Sequence, residues 1–198
     1  MRHSAFVVVA SLLALPAMAA LAPGNTAPDF TAKASLAGKE FTYVLHDELK
    51  KGPVVVYFYP AAFTSGCNIQ AHTFSENMAK FRAAGATVVG VSLDKISTLN
   101  AFSSDPKYCA GKLPVASDPD GNIAKSYQLK IDAVESGDKD TRGAAIDHGY
   151  AERSTFIVSP DGKIRATVRG IGAAENVART LEAVRQLNAA SGGTKTTP

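Results

Sequence analysis

What this sequence has little of removes several classes of function. Beyond the first residues, no apolar run approaches the roughly 20 residues that a membrane-spanning helix needs. The net charge is only +3 and the cations form no stripe, so nucleic acid is not an expected partner. There are two cysteines, Cys67 and Cys109. Asn68, Ile69 and Gln70 follow Cys67, so the Cys-x-x-Cys pair of a fast thiol–disulfide exchanger is absent. The same gap argues against a copper-delivery site, which would need two close cysteines and a histidine. No internal repeat is visible.

What remains suits one globular domain: 198 residues, 45% of them apolar. The N-terminus carries Arg2 and His3, then an apolar run from Ala5 to Leu15, then Pro16-Ala17-Met18-Ala19-Ala20. A positive start, a short hydrophobic stretch and a small-x-small site read as a secretory signal over residues 1–19, cut after Ala19. The competing reading is an uncleaved membrane anchor. With cleavage, the mature chain is periplasmic or secreted and has no membrane contact. Two cysteines in an exported chain suggest a disulfide, structural or catalytic. Residues 20–28, with Pro and Gly, read as a linker into a domain spanning 20–190. Residues 191–198 read as a disordered tail.

Within the domain the pattern alternates. Pro53–Tyr59 is a continuous β-branched and aromatic run, as in a strand buried on both faces. A helical pattern follows, with Cys67, Ala71, Phe74, Met78 and Phe81 on one face and Gly85 as its stop. Ala86–Leu93 reads as a second buried strand, and Ile96, Leu99 and Phe102 mark a second helix. Leu113–Ala116 is a short strand, closed by a Pro119-Asp120-Gly121 turn and a brief helix to Tyr127. Residues 129–149 read as a polar surface insertion holding Asp147 and His148. Thr155–Val158 and Lys163–Val168 flank Ser159-Pro160-Asp161-Gly162 as a hairpin. Ala174, Val177, Leu181, Val184 and Leu187 form a last amphipathic helix. This order implies an α/β class with a mixed central sheet flanked by helices; the thioredoxin fold has that order.

Cys67 falls at the first turn of a helix after a buried strand. An ordinary thiol ionises near pH 8.5, so only about 3% is the nucleophilic thiolate at pH 7. Free N–H groups at a helix N-terminus favour an anion by roughly 0.3–2 kcal/mol, and a nearby arginine adds to this. Gly66 lets the backbone pass close to a small substrate. Thr64 offers a hydroxyl that can donate and accept, or it could simply cap the helix. Pro60 ends the strand and presents an apolar wall without an N–H.

The segment from Val54 to Glu76, VVVYFYPAAFTSGCNIQAHTFSE, resembles the active-site region of peroxiredoxins, closest to the bacterioferritin-comigratory or Q-type branch. The resemblance runs from about Ala27, in Ala27-Pro28-Asp29-Phe30, to about Gly170. It implies a peroxiredoxin-type thioredoxin-like fold. It also implies a peroxidase in which the Cys67 thiolate attacks a peroxide and becomes a sulfenic acid. By position Thr64 and Pro60 match the motif residues that align the peroxide and shield the sulfenate. Arg153, in Arg153-Ser154-Thr155-Phe156, matches the arginine that contacts thiolate and peroxide. A permanent cation with several donors suits that place. Arg165, one strand on, reads as solvated.

Two departures stand out. His72 occupies the place where many Q-type members carry a resolving cysteine, and reads as an exposed helix residue. Gln70 stands where the family frequently has Glu. Cys109 is then the candidate resolver through an intramolecular Cys67–Cys109 bond; a one-cysteine enzyme or an intermolecular bond are the alternatives. The resemblance implies a peroxide substrate, a thioredoxin-like or small-thiol reductant, and a monomer or weak dimer. No cofactor or metal is implied, since the sulfur itself carries the electrons. The reading from a different class is an exported thioredoxin-fold thiol–disulfide or binding protein with a structural Cys67–Cys109 disulfide.

Overall fold

A computed structural model describes residues 20–192. The expected signal segment 1–19 and residues 193–198 of the expected tail lie outside the described residues.

The chain opens with an antiparallel pair, β1 (Thr31–Leu36) and β2 (Lys39–Val44), then a short helix α1 (Leu45–Leu49). The expected strand over 53–59 is β3 (Val54–Phe58), and the helix carrying Cys67 is α2 (Ser65–Ala83). Then come β4 (Thr87–Ser92), α3 (Ile96–Ser104), β5 (Val115–Ser117) and α4 (Asn122–Ser126). A two-residue pair, β6 (Ile131–Asp132) with β7 (Tyr150–Ala151), brackets the insertion. The hairpin is β8 (Ser154–Val158) and β9 (Ile164–Arg169), and the last helix is α5 (Ala173–Gly192).

Seven strands form one mixed sheet in the order β2-β1-β5-β4-β3-β8-β9. β3, β4 and β5 run parallel, while β8 lies antiparallel to β3 and β1 antiparallel to β5. The central strand β3 alternates its side chains between two cores, as period-2 geometry requires. Val54, Val56 and Phe58 pack with Phe30, Leu45, Tyr127 and Phe156 on one face. Val55 and Tyr57 pack on the other with Phe74, Phe81, Leu99, Phe102, Val177 and Leu181 from α2, α3 and α5. Phe74 stacks on Tyr57 with ring centroids 4.4 Å apart. Truncating such a buried aromatic costs about 3–5 kcal/mol, so α2 is fixed tightly to the sheet at its middle.

The helix stop at Gly85 is as expected. Its φ is +74°, and the amides of Gly85 and Ala86 bond back to the carbonyls of Arg82 and Phe81, which closes the last turn.

Three points differ from the sequence reading. Residues 20–28 are not a free linker: Ala20 and Ala27 are buried, and the amides of Gly24 and Ala27 bond the carbonyls of Ile164 and Gly162. Small side chains let that backbone lie against the β8–β9 hairpin. The tail does not start at 191, because α5 runs through Gly192. The third concerns residues 31–49, which carry a hairpin and a helix that the sequence pattern did not mark. β2 is an edge strand that buries only Tyr43, and its turn, Ala37-Gly38 with both φ positive, lacks the usual Asn-Gly signal.

Candidate active site

β3 ends at Phe58, and Pro60, lacking an N–H, lies just beyond the end of the ladder. The amide of Ala62 is taken by the Asp94 carboxylate at 2.8 Å, and Ser92 Oγ donates to the same oxygen at 2.7 Å. Phe63 is buried with a left-handed φ of +60°, an outlier for an aromatic residue. Thr64 is extended (φ −89°, ψ 150°) and occupies the N-cap of α2. Its hydroxyl does not cap the helix; it donates to the Ala61 carbonyl at 2.9 Å.

Cys67 therefore sits in the first turn of α2, only 2% exposed. No acidic residue occupies that turn, so nothing there opposes an anion at the positive end of the helix.

Sheet register brings in the cation. Ser154 pairs with Phe58 at the end of β3, which puts Arg153, one residue earlier, beside the loop that follows β3. Its Nη2 donates to Cys67 Sγ at 3.4 Å. Gly66 makes room for this: a Cβ there would stand 3.1 Å from Arg153 Nη2. Arg153 Nη1 donates to Gln70 Oε1. Gln70 Nε2 donates in turn to Asn176 Oδ1 at 3.0 Å, and Thr155 Oγ1 donates to the same atom at 2.7 Å.

Cys109 lies in the turn after α3, fully buried in the same core as Cys67. Both cysteines are free thiols. Burial, helped by the Asp105 carboxylate, pushes the Cys109 thiol well up. Burial likewise pushes the Tyr57 hydroxyl far up, and the Cys109 and Cys67 sulfurs act in the same direction. Tyr57 is thus within electrostatic reach of both sulfurs.

The expected site residues divide accordingly. Pro60, Thr64, Cys67 and Arg153 converge at the end of β3, while Cys109 lies in the turn after α3 without bonding Cys67. His72 is exposed on α2. Arg165 pairs at the surface with Asp161.

The insertion is more than a surface loop. Thr141 donates to the Phe63 carbonyl through both its amide, at 2.9 Å, and its hydroxyl, at 2.6 Å. Arg142 lies over the Phe63 ring, 3.2 Å from its centroid. His148 Nε2 meets Asp94 Oδ1 at 3.1 Å. Asp94, Thr141, Arg142 and Asn176 were missed in the sequence. The only trace of Asn176 there is a polar pair with Thr180, one turn apart, beside the apolar positions Val177, Leu181 and Val184 of α5.

A buried thiol at a helix N-terminus, held by a guanidinium on a thioredoxin-like sheet, defines a class: a thiol-dependent oxidoreductase. Comparison with known proteins narrows it. Residues 23–167 match the AhpC/TSA family. The Mycobacterium tuberculosis protein named Putative peroxiredoxin Rv2521 is 35% identical over 80% of this chain and 92% of its own length. A Xanthomonas campestris bacterioferritin comigratory protein, solved in a study of its alkyl peroxide reduction activity, superposes with a TM-score of 0.62. It is 26% identical, over 79% of this chain and 91% of its own. The peroxidoxin BcpB of Mycobacterium tuberculosis shares the fold with a TM-score of 0.68, at 23% identity over 84% of this chain and 98% of its own. The chain belongs to the AhpC/TSA family. It is a thiol-dependent peroxidase, and peroxides are its substrates.

Proposed function

We propose that Cys67 is the peroxidatic nucleophile. The observation that carries this is the 3.4 Å contact from Arg153 Nη2 to Cys67 Sγ in the first turn of α2. The cation and the free helix N–H groups both stabilise the thiolate. The thiolate attacks one peroxide oxygen and the O–O bond breaks. Cys67 becomes a sulfenic acid, and the other oxygen leaves as hydroxide or alkoxide and takes up the proton that the thiol released, giving water or alcohol. Thr64 accepts a hydrogen bond from the peroxide while its own hydroxyl donates to the Ala61 carbonyl. Arg153 steadies the charge that builds on the leaving oxygen, and Pro60 contributes an apolar wall.

Cys109 is the resolving thiol. It displaces water from the sulfenic acid and forms a Cys67–Cys109 disulfide, which a thioredoxin-like protein or small thiol then reduces by two electrons. A disulfide needs the two Cα atoms within roughly 4.4–6.8 Å, and two buried free thiols reach it by unwinding the first turn of α2. The protein is exported after removal of residues 1–19, works in the periplasm or outside the cell, and acts as a monomer or weak dimer.

The test follows thiol loss in the reduced protein after adding hydrogen peroxide. We expect oxidation within seconds, abolished by Cys67→Ser and retained in Cys109→Ser. Slow and equal oxidation of both thiols would sink the assignment and favour a permanent Cys67–Cys109 staple. Mass analysis of a non-reducing digest reads the second step. A monomer without a 67–109 crosslink would leave Cys109 a bystander. Arg153→Lys keeps the charge but loses the forked donors; an unchanged rate in that variant would refute the role of Arg153.

A further inference from the structure

We propose that Asn176, on α5, is a positioning residue for the peroxidase reaction: its side-chain oxygen orients Gln70, which holds Arg153 against Cys67. The inference rests on the assignment of Arg153 as the cation that supports Cys67.

Donor and acceptor logic fixes the direction of the whole chain. At one end the Val168 backbone carbonyl can only accept, and it takes Asn176 Nδ2 at 3.1 Å. The oxygen of the Asn176 carboxamide is thereby turned inward, where Thr155 Oγ1 and Gln70 Nε2 both donate to it. With its nitrogen committed, Gln70 presents Oε1 to Arg153. Arg153 is at the other end and can only donate. Turning either carboxamide over would set donor against donor or acceptor against acceptor. Gln70, Thr155 and Asn176 are all fully buried, so bulk water does not stand in for a lost partner. The backbone holds Asn176 as well: its amide bonds the Gly172 carbonyl at 2.8 Å, and its carbonyl accepts from Thr180 Oγ1 at 2.7 Å.

The pairing also gives a reason for Gln rather than Glu at position 70. A carboxylate there would be an acceptor on every side and would face the oxygen of Asn176. Asn176 would have to turn and abandon Val168. Two amides satisfy the chain, and because Gln70 is neutral it does not offset the charge that Arg153 presents to the sulfur.

The experiment compares Arg153→Ala, Asn176→Ala and the double variant in the full chain, with circular dichroism as the check on folding. Two readouts are taken: the rate of Cys67 oxidation by hydrogen peroxide, and the pH profile of Cys67 alkylation by iodoacetamide. Asn176→Ala should slow oxidation roughly 10- to 100-fold, the effect of one misplaced charge-assisted hydrogen bond. It should also move the alkylation profile to higher pH, in the same direction as Arg153→Ala. The double variant should be no slower than Arg153→Ala alone, because both changes break one chain. Losses that multiply in the double variant overturn the proposal, as does Asn176→Ala with an unaltered rate and profile. An unaltered rate in Arg153→Ala instead overturns the arginine assignment, so the two failures are distinguishable. Where Asn176→Ala does not fold, Asn176→Ser is read by the same criteria. Its hydroxyl can bond the Gly172 carbonyl just before α5 and is too short to hold Gln70.

Discussion

The smallest structural requirement of the site is the missing side chain at position 66. A methyl group there would lie 3.1 Å from Arg153 Nη2, tighter than ordinary contact, and the guanidinium would shift away from Cys67. Gly66 is helical, so alanine itself favours the fold by up to about 1 kcal/mol. A hydrogen bond from a charged donor is worth roughly 1.5–3 kcal/mol. The two effects act on different quantities, so they separate cleanly. Gly66→Ala should leave the melting temperature unchanged or raised and slow the reaction with peroxide by about tenfold. Stopped-flow oxidation beside a thermal melt decides it; equal peroxide rates would show that Arg153 can shift at no cost. Residues like these were legible in the sequence because Pro60, Thr64, Gly66 and Cys67 lie in one segment and Arg153 in another short one. Asn176 was not, since it reaches Gln70 across 106 positions; Gln70 stood out only as a departure from the family's frequent Glu.

One scale up, the loop after β3 is held from two sides. Asp94, just past β4, takes the Ala62 amide from below. Thr141 and Arg142, from the insertion, take the Phe63 carbonyl and ring. A left-handed aromatic residue costs about 1–3 kcal/mol. Two hydrogen bonds at about 0.5–1.5 kcal/mol each and one cation–π contact at about 0.5–2 kcal/mol are enough to hold it. Thr141 also accepts a hydrogen bond from Asn68 in the first turn of α2, so the clamp reaches the turn that unwinds in the proposed Cys67–Cys109 step. Thr141→Ala should lower stability by about 1–2 kcal/mol, raise hydrogen exchange over residues 61–68, and speed formation of the Cys67–Cys109 bond after oxidation. Unchanged exchange in that segment would show that the insertion does not restrain it. The sequence marked the insertion only as polar, because its grip is made by polar side chains on groups far away in sequence, Thr141 and Arg142 on Phe63 and His148 on Asp94. The buried elements β3, β4, α2 and α5 were legible from apolar periodicity. The hairpin of β1 and β2 was not, because the apolar positions it buries are few and mostly small: Ala32 and Ala34 of β1 and Tyr43 of β2.

At the scale of the whole molecule, the insertion makes folding depend on pH. His148 is half-buried and its imidazole meets the buried Asp94 carboxylate at 3.1 Å. Burial acts against its charge. The hydrogen bonds to Asp94 and to the Gly149 carbonyl, together with the carboxylates of Asp94 and Asp147, outweigh it, and the pKa of His148 is raised. A group whose folded pKa exceeds its unfolded value of about 6.5 adds stability that is complete below that value and is lost as pH rises through the folded one. Urea unfolding of the wild type and His148→Gln should therefore show the largest difference near pH 6 and a smaller one at pH 8. Asp94 also carries the Ala62 amide, so the same protonation fastens the active-site loop. Relaxation of that loop on raising the pH should appear as faster hydrogen exchange over 61–64 in the wild type, beyond the intrinsic pH effect, and be absent in the variant. A wild-type-minus-variant difference that stays flat from pH 6 to 8 would show that His148 folds with the same proton affinity it has in the unfolded chain.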